Sequence, residues 1–94
     1  MTIKVLIKRK FSEHHSQEVS VLLVNLRSLA MKQQGYIGGE TLKRVDKPGE
    51  YLVISRWQGL EDWSRWFVSN DRRDIQERID TLIGSETHFE IYSN

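Results

Sequence analysis

Residues 36–57, YIGGETLKRVDKPGEYLVISRW, carry the clearest structural pattern in this 94-residue chain. Two β-prone runs, 36–45 and 50–57, flank the tetrapeptide Asp46-Lys47-Pro48-Gly49. Proline fixes φ and glycine permits positive φ, which is the chemistry of a tight turn. The second run is rich in β-branched and aromatic residues, which strands favour. The pattern predicts a β-hairpin, and Gly38-Gly39 predicts a bulge or a close backbone approach in its first strand.

The segment before the hairpin predicts a strand followed by a helix. Residues 2–10 alternate, with Ile3, Val5 and Ile7 on one face, and this period of two indicates a strand. Residues 15–33 have apolar side chains at helical spacing. That apolar stripe is formed by Val19, Leu22, Leu23, Leu26, Leu29 and Ala30.

The ends of this first helix carry their own signals. Ser12 or Ser16 is the predicted N-cap, because a serine hydroxyl can accept from the free amides of the first turn. Gly35 follows the last periodic residue and is the predicted C-terminal cap.

The segment after the hairpin predicts a helix in two parts and a last strand. Residues 60–68 place Trp63, Trp66 and Phe67 on one face. Ser69-Asn70-Asp71 is a capping cluster, so a second helical part is expected over 71–83, ending at Gly84. Residues 86–92 predict the final strand, with Phe89 and Ile91 on one of its faces.

The element order is therefore β-α-β-β-α-β, the ferredoxin-like split arrangement of the α+β class, in one domain spanning residues 1–94. It predicts a four-stranded antiparallel sheet with both helices on one face. The other face would show Leu6, Tyr92 and either Leu52 with Ile54 or Tyr51 with Val53, among lysines and Glu90. That face is too apolar to stay wet, so we expect a homodimer packed through its sheets, a dimeric α/β barrel.

Composition excludes several classes of function. The chain has 14 basic and 13 acidic side chains and a net charge of +1, so no basic field favours nucleic acid. It has no cysteine, which excludes disulfides and zinc–thiolate sites, and no element shows the spacing of metal ligands. No apolar run approaches the roughly 20 residues that cross a membrane, so a cytoplasmic protein is predicted.

Three segments resemble the antibiotic biosynthesis monooxygenase family. They are Gly35-Tyr36-Ile37-Gly38-Gly39-Glu40, Lys47-Pro48-Gly49-Glu50, and the run from Trp57 to Ser69 that contains Leu60, Trp63 and Trp66. The resemblance implies a homodimer with a pocket between sheet and helices in each protomer. It implies either cofactor-independent oxygenation of quinols and anthrones, with no bound cofactor, or the chemistry of the related heme-degrading enzymes.

The heme-degrading branch is matched at only one of its three functional positions. The one match is a tryptophan, which that branch has at the position of Trp66 in this chain, so Trp66 resembles that branch. It has an asparagine where this chain has Ile7, and a histidine that binds the iron where this chain has Gln76. The resemblance therefore favours the cofactor-independent branch over heme degradation.

The candidate site residues follow from chemistry and from the resemblance, and each has a structural alternative. Trp66 and Phe67 are predicted to stack on a flat aromatic ligand, or else to fill the core. Ile7, Tyr36 and Arg73 are further candidates for substrate binding. His14 or His15 is a candidate base at the pocket mouth, or else part of a solvated loop. Asn70 is a candidate for catalysis through a substrate carbonyl, or else a helix cap.

Three functions remain open at the level of sequence. The first is a cofactor-independent monooxygenase acting on a small aromatic or quinol-type substrate. The second is a non-catalytic dimeric module for small-molecule binding or stress response. The third is a heme-binding relative that uses Trp66 with His14 or His15.

Overall fold

The computed structural model describes residues 1–94 and confirms the predicted β-α-β-β-α-β order, with the second helix in two parts. A short 3₁₀ turn, Glu13–His15, precedes the first helix. The elements are β1 (Ile3–Lys10), α1 (Ser16–Met31), β2 (Tyr36–Lys43), β3 (Glu50–Trp57), α2 (Leu60–Phe67), α3 (Asn70–Ile83) and β4 (His88–Ser93).

The four strands form one antiparallel sheet in the order β2-β3-β1-β4, which confirms the ferredoxin-like arrangement. β1 lies in the centre, where Ile7 pairs with Val53 of β3 and with Phe89 of β4. Because side chains alternate along a strand, the register of β1 decides which residues of both neighbours face the helices.

The predicted irregularity in β2 is a β-bulge at Ile37. Tyr36 pairs with Trp57 and Gly38 pairs with Arg56, so Ile37 is the extra residue. Gly39 lies close to neighbouring atoms: a Cβ there would be 3.0 Å from the Ile54 carbonyl oxygen and 3.1 Å from the Tyr36 hydroxyl. The sequence offered a bulge or a close approach as alternatives, and the strand has both of them.

The core lies between the helices and one face of the sheet. Ile3, Val5 and Ile7 of β1 are buried there, as the period of two predicted. They pack with three buried indoles, Trp57, Trp63 and Trp66. α1 packs against α3, where Val19 and Ile79 are fully buried.

The caps of the second helical part agree with the sequence. Ser69 is the N-cap of α3, and its hydroxyl accepts from the backbone N–H of Arg72. Gly84 ends α3 with φ of 70°. Both residues therefore terminate the helix by the predicted chemistry.

The predicted caps of α1 are wrong at both ends. His15 is its N-cap and makes no side-chain capping bond, while the Ser16 hydroxyl donates to the Glu13 carbonyl. The 3₁₀ turn accounts for this difference, since it already organises the chain before α1 begins. At the other end Lys32 is the C-cap, and Gly35 lies in the turn that leads to β2, with φ of 86°.

The outer face of the sheet presents the residues that the register assigns to it. Ile54 pairs with Leu6, so Leu52 and Ile54 face outward, whereas Tyr51 and Val53 face the helices. Leu42 and Tyr92 add apolar surface and are 44% and 54% exposed.

None of the helices has the length and apolar character that crossing a membrane requires.

Candidate functional site

A cavity of about 90 Å³ lies between the helix-facing side of the sheet and the helices α1 and α2. Eight of its fourteen lining residues are hydrophobic. β1 contributes Ile7, β3 contributes Val53, and α1 contributes Leu26. An apolar enclosure with few polar groups is the usual form of a small-molecule site.

One wall of the cavity is formed by the indoles of Trp63 and Trp66, which are 3% and 4% exposed. Trp57 lies behind them, with its ring centre 5.8 Å from Trp63 and 6.5 Å from Trp66. The indole N–H of Trp57 donates to the Ser55 hydroxyl at 2.6 Å. Trp57 is fully buried, so the two wall indoles are backed by close-packed side chains.

Tyr36 and Arg27 shape the side of the cavity next to β2. The Tyr36 ring meets Trp57 edge to face, with centres 5.3 Å apart. Arg27 of α1 donates from Nη2 to the Gly39 carbonyl at 3.0 Å, and so ties the helix to the bulged strand. A Cβ at Gly39 would crowd the Tyr36 hydroxyl at 3.1 Å, so the lack of a side chain there leaves room for Tyr36 beside the cavity.

Arg9 brings a positive charge to the cavity wall. It continues the buried face of β1 after Ile7 and is 4% exposed. Desolvation by burial lowers the pKa of its guanidinium to about 10, although the negative charge of Asp80 opposes this change. The side chain therefore stays protonated at neutral pH.

A polar network, buried at its Arg9–Gln76 bond and partly buried beyond it, holds Arg9. Its Nη2 donates to Gln76 Oε1 at 2.9 Å, and Gln76 Nε2 donates to Asp80 Oδ1 and Thr87 Oγ1, both at 2.8 Å. The Thr87 hydroxyl donates in turn to Asp80 Oδ1 at 2.9 Å. These bonds fix the amide of Gln76 with its oxygen toward Arg9.

Three of the predicted site residues meet at the cavity, namely Trp66, Tyr36 and Ile7. Phe67 does not line it. Its ring packs against Phe89 at 5.4 Å and lies under the Arg72 guanidinium at 4.3 Å. The i, i+3, i+4 spacing placed three aromatic rings on one helix face, but only Trp63 and Trp66 reach the cavity.

The remaining predicted residues also lie away from the cavity lining. Asn70 is the first residue of α3, and both Asn70 and Arg73 are exposed. His14 and His15 stand in the 3₁₀ turn with ring centres 5.1 Å apart, one exposed and the other half-buried. We therefore leave these four residues out of the candidate site.

Arg9 is the site residue that the sequence reasoning missed. The signal was present in β1, because the period of two that groups Ile3, Val5 and Ile7 places Arg9 on the same face. A charge on a buried face is unusual and marks a candidate site. The structure shows no group of three or more His, Cys, Asp or Glu side chains that could hold a metal ion.

Solved structures with the same fold come from several organisms. A conserved protein from Methanosarcina mazei Go1 has a TM-score of 0.90 at 19% identity, over 100% of this chain and 93% of that one. SnoaB, described as a cofactor-independent oxygenase from Streptomyces nogalater, has a TM-score of 0.84 at 13% identity, over 99% and 92%. Rv0793 from Mycobacterium tuberculosis has a TM-score of 0.86 at 11% identity, over 100% and 95%. Identities this low show the shared fold alone.

The family of this chain is shown by its match to a protein-family model. No match was found among curated proteins. The model of the family described as antibiotic biosynthesis monooxygenase matches residues 2–78, which include β1, both strands of the hairpin and the whole of α2. The chain therefore belongs to the antibiotic biosynthesis monooxygenase family.

Proposed function

We propose that this protein is a cofactor-independent monooxygenase whose substrate is a small quinol-type aromatic, bound in the cavity between sheet and helices. The observation that carries the proposal is the enclosed wall formed by Trp63 and Trp66. Membership of the family supports the reaction type. The shared fold of SnoaB, described as a cofactor-independent oxygenase, agrees with it.

The size of the cavity favours a single ring. Pockets for drug-sized ligands have volumes of roughly 300–1,000 Å³, whereas this cavity has about 90 Å³. A hydroquinone placed against the indoles would be stacked and largely desolvated. A three-ring anthrone would require the helices to move apart.

The reaction itself needs no electron donor besides the substrate. A hydroquinone loses two hydrogens and gains one oxygen atom from O₂, and the second oxygen atom leaves as water. The protein contributes orientation of the ring and exclusion of water from the reacting carbon. Both contributions follow from an apolar cavity with rigid walls.

Oxygen uptake with a panel of hydroquinones tests the proposal. Turnover is expected for single-ring substrates, and Trp66→Leu is expected to lower kcat/KM by about tenfold or more because the stacking surface is lost. Phe67→Leu is the matched control, since Phe67 is on the same helix but outside the cavity. No uptake above background by the folded wild-type protein, or equal losses in the two variants, would contradict the proposal.

A non-catalytic binding module is the second candidate, and one observation favours it. Neither histidine nor aspartate lines the cavity, and its single glutamate, Glu40, is exposed and pairs with Ile54 on the outward side of the sheet. These groups therefore provide no general base within hydrogen-bonding reach of a substrate ring bound in the cavity. Quenching of tryptophan fluorescence by hydroquinones without oxygen uptake is the result expected of this module.

Heme does not fit the residues that are present. Gln76 stands where the heme-degrading branch has its iron-binding histidine, and both ends of its amide are engaged with Arg9, Asp80 and Thr87. A heme is also several times larger than the cavity of about 90 Å³.

We further propose that the protein is a homodimer packed through the outer faces of its sheets. Leu6, Leu52 and Ile54 form an apolar centre on that face. Lys8 and Glu90 pair at 3.1 Å beside this centre and give it a polar rim. An apolar centre with a charged rim is typical of a protein interface, and a two-fold pair is the commonest arrangement.

Ile54→Glu is expected to convert the dimer to a monomer. A buried carboxylate without a partner costs about 3–5 kcal/mol, so the dissociation constant should rise on the order of a hundredfold or more. Analytical ultracentrifugation at several concentrations measures it. Val24→Glu, which places the same charge at a position of α1 that is 63% exposed, should leave the oligomeric state unchanged. A wild-type protein that sediments as a monomer would contradict the dimer.

A further inference from the structure

We infer that the cavity contains a subsite for an anionic oxygen and that Arg9 is the residue that binds it. The ligand class is a small aromatic molecule carrying a carboxylate or a phenolate. This inference rests on the proposed function, because it concerns the same cavity. It adds the charge of the molecule that binds there.

The charge of Arg9 has no counterion in the protein. Arg44, Arg56 and Arg65 each form an ion pair with a carboxylate, but no carboxylate pairs directly with Arg9. Arg9 is nevertheless the most buried arginine, at 4% exposed. Buried charges in proteins are ordinarily paired, since an unpaired one loses its hydration without compensation.

One hydrogen-bond donor of the Arg9 guanidinium is left without a partner. The group has five N–H donors in a planar fork. Nη2 donates to Gln76, while Nε is buried with no hydrogen-bond partner in the protein. Because Arg9 also lines the cavity, its partly unsatisfied guanidinium is suited to an oxygen anion, which it would bind through charge-assisted bonds.

The network behind Arg9 engages the carboxylate of Asp80 without bringing it into an ion pair with the guanidinium. Asp80 is bound by Gln76 and Thr87, and Gln76 stands between it and Arg9. Asp80 opposes the effect of burial on Arg9 only in part. The network therefore orients the guanidinium without neutralising it, as a binding site for a negative group requires.

The charge of Arg9 and the aromatic wall belong to one cavity. Arg9, Trp63 and Trp66 all line it. With a volume of about 90 Å³, the cavity has room for no more than one ring and its polar substituent. The two contacts together select a flat, single-ring anion.

Equilibrium binding of benzoate and benzamide tests the inference. The two molecules have the same shape and differ in charge. Titrations are followed by tryptophan fluorescence and calorimetry in the absence of O₂, so that no turnover contributes. Benzoate is expected to bind more tightly than benzamide, by a factor of about ten or more. Arg9→Met should remove this preference, so that the two molecules bind with equal affinity.

The test includes a matched control variant outside the cavity and a second substitution at Arg9. Arg73→Met removes an exposed arginine of α3 outside the cavity and should behave as the wild type. Arg9→Met is expected to fold, because an apolar side chain of similar length replaces a buried charge. Should it unfold, Arg9→Lys keeps the charge without the fork and should weaken benzoate binding several-fold.

A chromogenic phenol distinguishes binding of a phenolate from binding of a carboxylate. Binding of 4-nitrophenol beside Arg9 should favour its phenolate and lower its apparent pKa, which the visible absorption of the phenolate reports. A shift in the wild type that is absent from Arg9→Met assigns phenolate binding. Tight benzoate binding without that shift assigns carboxylate binding, and either result supports the subsite.

Equal affinities of the wild type for benzoate and benzamide, together with an unshifted nitrophenol, would overturn the inference. So would a preference for the anions that persists in Arg9→Met. These outcomes are distinct from failure of the proposed monooxygenase, because that failure is an absence of oxygen uptake and leaves the anaerobic binding comparison intact.

Discussion

Trp57→Ala is expected to lower the free energy of unfolding by about 3–5 kcal/mol, the range for deleting a buried aromatic side chain. Trp57 is fully buried and packs against Tyr36, Trp63 and Trp66. Its removal leaves a void behind the wall of the cavity and the Ser55 hydroxyl without its donor. Chemical denaturation followed by circular dichroism measures the loss.

Trp57→Phe serves as the control for this prediction. It keeps most of the apolar volume and loses the hydrogen bond to Ser55, so a loss of only about 1–2 kcal/mol is expected. A loss below about 1 kcal/mol for Trp57→Ala would mean that the surrounding rings close the void, and that Trp57 does not support the cavity wall as we describe.

Gly35→Ala is expected to destabilise the protein by about 2–4 kcal/mol, since two costs combine. The backbone of Gly35 has φ of +86°, which a residue with a Cβ rarely adopts. A Cβ at this position would also overlap the Asp62 side chain on α2. The Gly35 carbonyl meanwhile accepts from the N–H of Gln58 at 2.8 Å, so the turn has little freedom to move away. Thermal or chemical unfolding measures the effect.

Gly38→Ala is the matched control in the same segment. A Cβ at Gly38 would meet no atom within 4 Å, and its φ is not positive. The substitution should change stability by less than about 1 kcal/mol, because an alanine that fits without strain also restricts the unfolded chain. Similar losses at Gly35 and Gly38 would contradict the assignment of the cost to backbone strain and to the contact with Asp62.

The fold was predictable from the sequence because its local signals agree with one another. The alternation of Ile3, Val5 and Ile7, the turn at Pro48-Gly49 and the cap at Ser69 each specify one element, and the structure has each of them. The choice between Leu52 with Ile54 and Tyr51 with Val53 was not predictable. It depends on how β3 registers against β1, which a single strand does not encode.

The candidate site was predictable only in part, because its geometry arises from packing. Helical spacing groups Trp66 with Phe67, but the angle of α2 over the sheet sends Phe67 toward Phe89 instead. Arg9 was identifiable as a charge on a buried face. Its partner Gln76 lies 67 residues further along the chain, and no local pattern connects two such residues.

The bulge at Ile37 has a consequence for how the protein behaves at high concentration. β2 forms one edge of the sheet, where unpaired N–H and C=O groups can recruit a strand from another molecule. The extra residue interrupts the regular spacing of these groups at the start of β2 and increases the local twist. Open-ended pairing of strands from successive molecules, a route to fibrils, is therefore disfavoured at this edge.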